Sequence, residues 1–186
     1  MALPETISSG WRPLDRAALL LDRATSAMNA VGTVWILALM LLINADVIGR
    51  GMFANPINGV PEMVALSILG IVFLQLANTL SVGRLTRSDA LLGAVRRRFP
   101  RVGDGLDAVF HLAGAALTGA VLWSAWPKFL RSWERQEFVG AVGNFTAPTW
   151  PINLIVLVGG AVLLLVFVMR ALVLAVRSAR GGVAAP

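Results

Sequence analysis

Four long apolar segments constrain this chain more than any other feature. The segments at about residues 28–49, 63–82, 106–126 and 152–176 each supply the roughly 20 apolar residues that a helix needs to cross a bilayer core about 30 Å thick. A lone strand in lipid would leave its backbone amides unpaired, so each segment is expected to be a helix. The sequence therefore predicts an all-α integral membrane protein with four transmembrane helices, in which residues 1–186 form a single membrane domain.

The polar residue types leave little room for chemistry. The chain has no cysteine, no tyrosine and a single histidine, so thiol catalysis, iron–sulfur clusters and a two-haem cytochrome are excluded. It contains no phosphate-binding loop of the Walker type. We therefore expect no enzymatic activity and no catalytic, cofactor-binding, metal-binding or substrate-binding residue. The net charge of +6 lies on an apolar background without a soluble basic face, so nucleic acid is not an expected partner.

Basic residues predict the orientation of the chain in the membrane. The two terminal segments and the loop between the second and third spans hold twelve of the 16 basic residues, and the other two loops hold four. The positive-inside rule then places both termini and the central loop in the cytoplasm. Tryptophan placement agrees, because four indoles cluster at the predicted outer boundary: Trp123, Trp126, Trp133 and Trp150.

Two segments are expected to lie along the inner membrane surface. Residues 1–27 precede the first span, and within them residues 13–25 form an amphipathic helical pattern. In the central loop, Thr86 can cap a basic amphipathic helix that ends before Pro100. An ordinary solvated loop remains the alternative for such a charged segment.

Ionisable residues meet at the outer end of the first span. Asp46 and Arg50 are four residues apart, which places them on one helical face with the acid first. Glu62 begins the second span, where a helix N-terminus favours a carboxylate. The turn-rich residues 51–59 between them are expected to bring Arg50 close to Glu62. Either this polar cluster fixes the corner, with a partner protein against it, or it is helix-end charge that reaches water.

Polar side chains also occur within the spans. Gln75, Asn78 and Thr79 in the second span have the three-to-four spacing of one helical face, and we expect them to pack between helices rather than to contact a substrate. His111 lies one turn from Asp107 in the third span. This pair is interpreted either as a proton relay or as a histidine hydrogen-bonded at a helix end.

Small residues predict where helices approach closely. Gly114 and Gly119 in the third span, and Gly159 and Gly160 in the fourth, are typical of a packing face. No internal repeat relates the first two spans to the last two, so the inverted-repeat architecture of a self-contained transporter is not indicated.

Several short motifs resemble a known family. They are residues 44–50 (NADVIGR), residues 53–59 (FANPING), Glu62, Gly83 and Arg84 with Arg87 and Asp89, and residues 147–152 (APTWPI). Together they resemble the small membrane subunit of TRAP (tripartite ATP-independent periplasmic) transporters. The likeness covers most of residues 44–92 and 146–160. Leu85 and Thr86 stand where many members have a histidine, so any role of that histidine does not carry over.

The resemblance implies a non-catalytic subunit of a larger system. Such transporters import organic acids and related solutes with a sodium gradient, and a periplasmic binding protein delivers the solute transiently. Their large membrane subunit holds the substrate and sodium sites and moves as an elevator, so sodium is not expected in this chain. The small subunit braces that scaffold in the bacterial inner membrane. Asp46, Arg50, Asn55 and Glu62 become candidates for fixing the outer corner against the large subunit or the docked binding protein.

Two other functions stay open on the residues alone. The chain could be a self-sufficient small transporter or channel that acts as a homo-oligomer, which predicts transport by the purified chain. It could also be the membrane anchor of a redox enzyme that binds quinone or haem, and an absorbance spectrum would reveal the haem. The solute is not specified in any reading, because specificity is expected in the other components.

Overall fold

Four long helices and one short β-ribbon make up the described part of the chain. The computed structural model describes residues 12–82, 100–141 and 145–179. The elements in chain order are α1 (Arg12–Phe53), α2 (Val60–Ser81), α3 (Pro100–Glu134), β1 (Phe138–Ala141), β2 (Phe145–Pro148) and α4 (Trp150–Ala179). Each helix contains a segment long and apolar enough to cross a membrane. The predicted four-span architecture is confirmed, and the cytoplasmic position of the termini stays a prediction.

The first helix is longer than a membrane span requires. Its 42 residues extend about 63 Å at 1.5 Å per residue, roughly twice the thickness of the bilayer core. Residues 13–25, expected as a separate interfacial segment, are the first turns of this same helix. No glycine or proline lies between Thr25 and Val31, so nothing interrupts the backbone hydrogen bonds at the expected boundary. The predicted helix in the central loop falls on residues 83–99, outside the described residues.

The helices pack in the order α1, α2, α4, α3. Helix α2 packs on α1 along one side and on α4 along the other, α4 packs extensively on α3, and α1 touches α4 only slightly. The core between the two central helices consists of Ala77 and Leu80 from α2 with Leu163 and Val166 from α4. Within the 18-residue apolar stretch that qualifies each helix as a membrane span (its apolar window), 33% of the residues are buried in α2 and in α4. The corresponding share is 11% in α1 and 17% in α3. The four helices therefore form a layer with two sparsely covered outer members.

Glycines permit the closest helix contacts. A Cβ atom on Gly159 of α4 would lie 2.6 Å from the carbonyl oxygen of Phe73, so the α2 and α4 backbones approach each other directly at this point. The ring of Phe167 covers Gly114 in the same way where α4 meets α3. Small residues let helices in lipid gain van der Waals contact that larger side chains would prevent.

A two-stranded antiparallel ribbon joins α3 to α4. Phe138 lies opposite Pro148, and Ala141 lies opposite Phe145. The backbone N–H of Thr149 donates to the carbonyl of Glu137 at 3.0 Å, which extends the ladder toward α4. The prediction of an all-helical chain missed this ribbon. Each strand has only four residues, too short a run for apolar periodicity to distinguish it from a loop.

Candidate functional site

The polar corner at the α1–α2 loop is organised by Asp46. This residue is only 6% exposed, and each of its carboxylate oxygens has a partner. Arg50 Nη2 donates to Oδ2 at 2.6 Å, and the backbone N–H of Ile57 donates to Oδ1 at 2.8 Å. Arg50 lies on the same helix and Ile57 in the following loop. The carboxylate therefore fastens the loop to the last turns of α1.

The local sequence explains why the chain turns here. Asn55 precedes Pro56, which disfavours helical backbone at Asn55, and α1 ends two residues earlier. The N–H of Asn55 donates to the carbonyl of Gly49 at 3.1 Å, so the loop folds back on the helix end. Gly59 then adopts a left-handed conformation with φ 82° as the N-cap of α2, and Pro61 occupies its first turn.

The four predicted corner residues differ in accessibility. Asp46 is buried, whereas the side chain of Arg50 is 61% exposed and Asn55 is exposed. Glu62 is half-buried in the first turn of α2. The expected approach of Arg50 to Glu62 is not seen as an ion pair, because among the described residues Arg50 pairs with Asp46 instead. Asp46 lies one turn away on the same helix, so this pairing needs no ordering of the loop.

The ribbon covers the corner from the other half of the chain. The ring of Phe145 in β2 lies directly against Gly59, where a Cβ atom would overlap it. This contact places the α1–α2 loop and the ribbon at the same end of the molecule, here called the outer end after the predicted orientation. The sequence predicts a turn that includes Gly59, but it does not predict the contact between Gly59 and Phe145.

Three further contacts fix the ends of the ribbon and its flanking helices. The hydroxyls of Ser132 in α3 and Thr149 are 2.6 Å apart, and the Thr149 hydroxyl donates to the carbonyl of Glu137 at 3.0 Å. The rings of Trp133 and Trp150 meet edge to face, with centroids 4.9 Å apart. The predicted clustering of tryptophans thus includes a direct contact between α3 and α4.

The polar residues of α2 face α1 in two cases of three. Gln75 packs on Gly32, where a Cβ atom would lie 2.9 Å from Cγ of the glutamine. Asn78 Oδ1 accepts a long bond of 3.5 Å from the Ser26 hydroxyl across the helix pair. Thr79 instead donates to the carbonyl of Gln75 on its own helix at 3.0 Å. Its hydroxyl is therefore satisfied without a second helix.

A polar network at the opposite, inner end connects three helices. The hydroxyl of Ser81 at the end of α2 donates to the carboxylate of Asp22 on α1. The guanidinium of Arg170 on α4 donates to the carbonyl of the same serine. The sequence alone assigns neither Asp22 nor Arg170 to a site. Their sequence positions could have indicated this network, because both residues lie at the edge of an apolar run, where an ionisable side chain needs a partner.

His111 is almost completely buried between α3 and α4. It is 3% exposed, its Nδ1 lies 2.8 Å from the carbonyl oxygen of Asp107, and its ring meets Phe167 at a centroid distance of 6.1 Å. Nδ1 is also 3.3 Å from the Asp107 carboxylate. The Nδ1 contacts are made within the histidine's own helix, about three turns inside α3 rather than at its end, and the buried Nε2 has no hydrogen-bond partner among the described residues.

The described polar groups are arranged to hold elements together. Within residues 12–82, 100–141 and 145–179, no three histidine, aspartate or glutamate side chains come together as a metal site would require. Asp46 and Asp22 instead each join α1 to another segment. This arrangement can fix the positions of the helices relative to one another.

One family model matches most of the chain. It describes the DctQ component of tripartite ATP-independent periplasmic transporters, and it matches residues 39–178. The match begins in α1, includes the polar corner and the ribbon, and ends near the last residue of α4. No curated protein and no solved structure matches the chain significantly.

Proposed function

This chain belongs to the DctQ family, the small permease component of tripartite ATP-independent periplasmic transporters, and on that premise we propose that it braces the large membrane subunit rather than moving solute itself. It is a multi-pass inner-membrane protein by family and by its four apolar helices. In the proposed system the large subunit binds sodium and an organic acid or related solute. A soluble periplasmic protein delivers that solute and docks transiently at the outer end.

The observation that carries the proposal is the layered packing of the helices. Helices α2 and α4 form the centre, and α1 and α3 leave most of their apolar windows uncovered. A layer of this kind presents a broad apolar flank to a neighbouring membrane protein. Its polar contacts within the described residues join helices and loops of the chain itself. Both features favour a scaffold role.

Helix α1 is the better of the two flanks for the large subunit. Its apolar window is the least buried of the four, so it has the most surface left to cover. Val34, Leu37 and Leu41 are all exposed and follow the three-to-four spacing of one helical face. We assign this face to the contact with the large subunit and leave the flank of α3 to lipid.

The outer corner supplies the polar part of the same interaction. Asp46 is used internally, and its bond to Ile57 gives the loop a defined shape. The exposed Arg50 and Asn55 side chains and the half-buried Glu62 carboxylate remain accessible to a partner. In this proposal they contact the large subunit or the docked binding protein. Uptake and complex formation that are both unaffected in Arg50→Ala and in Glu62→Ala would contradict this role.

Co-purification with the large subunit tests the assigned flank. An affinity tag on this chain should retain the large subunit from solubilised membranes. The double variant Leu37→Trp/Leu41→Trp should reduce the retained amount at least about fivefold, because overpacking a close interface costs about 1–3 kcal/mol. Leu117→Trp on α3, at an equally exposed position, is the matched control and should leave retention unchanged.

Two results would contradict the assignment. Loss of the large subunit in Leu117→Trp alone would move the interface to α3. Full retention in both variants would show that neither apolar flank holds the large subunit, and the scaffold role would lose its main support.

A further inference from the structure

The outer end of α3 carries a basic face that the proposed function does not use. Lys128, Arg131 and Arg135 follow the spacing of three and then four residues, which places them on one side of the helix. Arg135 lies just past the assigned end of α3, but its N–H still donates to the Arg131 carbonyl at 2.9 Å, so the helical path continues that far. The three charges span about 10 Å along the helix axis.

These charges are exposed and uncompensated. All three side chains are exposed, and in the described residues no carboxylate lies within 4.0 Å of any of them. Glu134 lies about a quarter turn away around the helix. Arg131 Nε donates to the carbonyl of Pro127 at 3.3 Å, which holds its guanidinium close to the helix surface. The face is therefore available to an external anion.

The depth of this face is set by the length of α3. Its spanning segment, Gly105–Glu134, has 30 residues and extends about 45 Å, which matches a bilayer of about 40–45 Å including both headgroup layers. A helix of this length that crosses the bilayer would place its last turns among the headgroups rather than in the hydrocarbon. Trp126 and Trp133, both exposed, occupy the same turns, and tryptophan prefers this layer.

The aromatic and basic residues lie on different sides of the helix. With about 100° of rotation per residue, Trp126, Leu130 and Trp133 fall on a face roughly opposite to the basic one. The Ser132–Thr149 contact fixes the rotation of α3 against α4, so neither face can turn away. The aromatic side of the helix is thus suited to lipid acyl chains, and the basic side is suited to negatively charged headgroups.

We propose that Lys128, Arg131 and Arg135 form a binding site for the phosphate of an anionic phospholipid in the leaflet at the outer end. Arginine presents a planar fork of donors that matches phosphate oxygens, and each basic residue near an anionic membrane surface contributes roughly a fivefold preference. A lipid is favoured over a protein partner because the charges occupy the same turns of the helix as two exposed tryptophans, and tryptophan prefers the headgroup layer. The site is independent of any contact with the large subunit.

Lipid competition in defined nanodiscs tests this site. The purified full chain is placed in nanodiscs of equimolar phosphatidylglycerol and phosphatidylcholine, and the lipids retained on the intact chain are counted by native mass spectrometry. The wild type should retain phosphatidylglycerol preferentially. The variant Arg131→Gln/Arg135→Gln should reduce that preference more than tenfold, from about fivefold for each lost charge.

Two matched variants keep the test decisive. Arg131→Lys/Arg135→Lys preserves the charge but not the planar fork, and it should retain more of the preference than the Gln double variant, which separates electrostatics from folding. Glu134→Gln changes a neighbouring charge outside the face and should not weaken retention. An unchanged preference in the Gln double variant would overturn the proposal. So would loss of the large subunit from the Gln double variant in the co-purification experiment with its lipid preference intact, because the face would then hold a protein.

Discussion

Asp46 connects two segments through two different oxygens, and this determines how the corner responds to substitution. One oxygen accepts from the exposed Arg50 side chain, and the other accepts from the Ile57 backbone N–H. The Arg50 side chain is 61% exposed, so water competes for its guanidinium and the ion pair contributes little. The hydrogen bond that the Ile57 N–H donates to the carboxylate has no such replacement once the carboxylate is removed. The loop bond is therefore the more important of the two.

Substitutions at this pair should show a definite order. Asp46→Ala removes both bonds and should lower the apparent melting temperature of the purified chain most. Asp46→Asn should be intermediate, because the amide oxygen can still accept from Ile57. Arg50→Gln should have the smallest effect. Thermal unfolding in one detergent gives the order, and an effect of Arg50→Gln as large as that of Asp46→Ala would contradict the account.

Gly59 should be intolerant of any side chain. Its φ of 82° costs a non-glycine residue about 1–2 kcal/mol, and Phe145 occupies the space that a Cβ atom would take. Gly59→Ala should lower the melting temperature clearly. Gly51→Ala is the matched control: nothing lies within 4 Å of its Cβ position, and alanine in a helix is favoured by about 0.5–1 kcal/mol. Adding Phe145→Ala to Gly59→Ala should restore part of the loss. Equal melting temperatures for the two glycine variants would contradict this reading of the corner.

At the residue scale, local contacts were predictable and distant ones were not. The Asp46–Arg50 pair follows from a four-residue spacing on one helix. The Ile57 N–H and the Phe145 ring reach their partners only after the loop and the ribbon have adopted their paths. No spacing rule encodes those paths, so the pairing of Arg50 was predictable only with Asp46 on its own helix, and the expected approach to Glu62 stays a prediction.

At the element scale, the α2–α4 contact depends on a glycine. Gly159→Ala should destabilise the chain by about 1–3 kcal/mol, because the new methyl group would meet the Phe73 carbonyl and force the two helices apart. Gly119→Ala on α3 is the matched control, because nothing lies within 4 Å of a Cβ atom at this position. Its effect on the free energy of unfolding should be neutral or slightly stabilising. Unfolding of both variants in mixed micelles measures the difference. Comparable stability of the two would show that the central helices do not approach as closely as described.

The inner ends of α1, α2 and α4 should be coupled through Ser81. Arg170→Ala removes a charged hydrogen bond to the Ser81 carbonyl and should cost about 1–3 kcal/mol. Arg23→Ala removes an exposed arginine near the same end of α1 and should leave stability unchanged. Hydrogen exchange at the last turn of α2 should increase in the first variant only. Faster exchange in both would mean that general charge, rather than this bond, holds the end of α2.

The presence of the four helices was easier to predict from the sequence than the boundaries of the helices or the short strands. Four helices follow from four apolar runs, because lipid leaves the backbone no other solution. The continuity of α1 through residues 13–53 was missed, since the change from amphipathic to apolar composition was interpreted as a boundary. The ribbon was missed because its four-residue strands depend on pairing rather than on composition.

At the scale of the whole molecule, the packing order is the basis of the proposed scaffold role. A layer with α2 and α4 at its centre leaves α1 and α3 as its least covered members, and the proposal assigns the flank of α1 to the large subunit. The packing order could not be predicted from the sequence, because four similar apolar helices can be arranged in several ways. The positions of Gly159 and Gly114 indicate which helix faces pack closely, but they do not indicate which helices pack against each other.

Reconstituted uptake is the most direct test of the central claim that this chain supports a transporter without transporting. Proteoliposomes with an inward sodium gradient would contain this chain alone, the large subunit alone, or both, each with the soluble binding protein outside and a radiolabelled solute of the system. The account predicts uptake only when both membrane proteins are present, and none above empty liposomes for this chain alone. Sodium-dependent accumulation by this chain alone would contradict it.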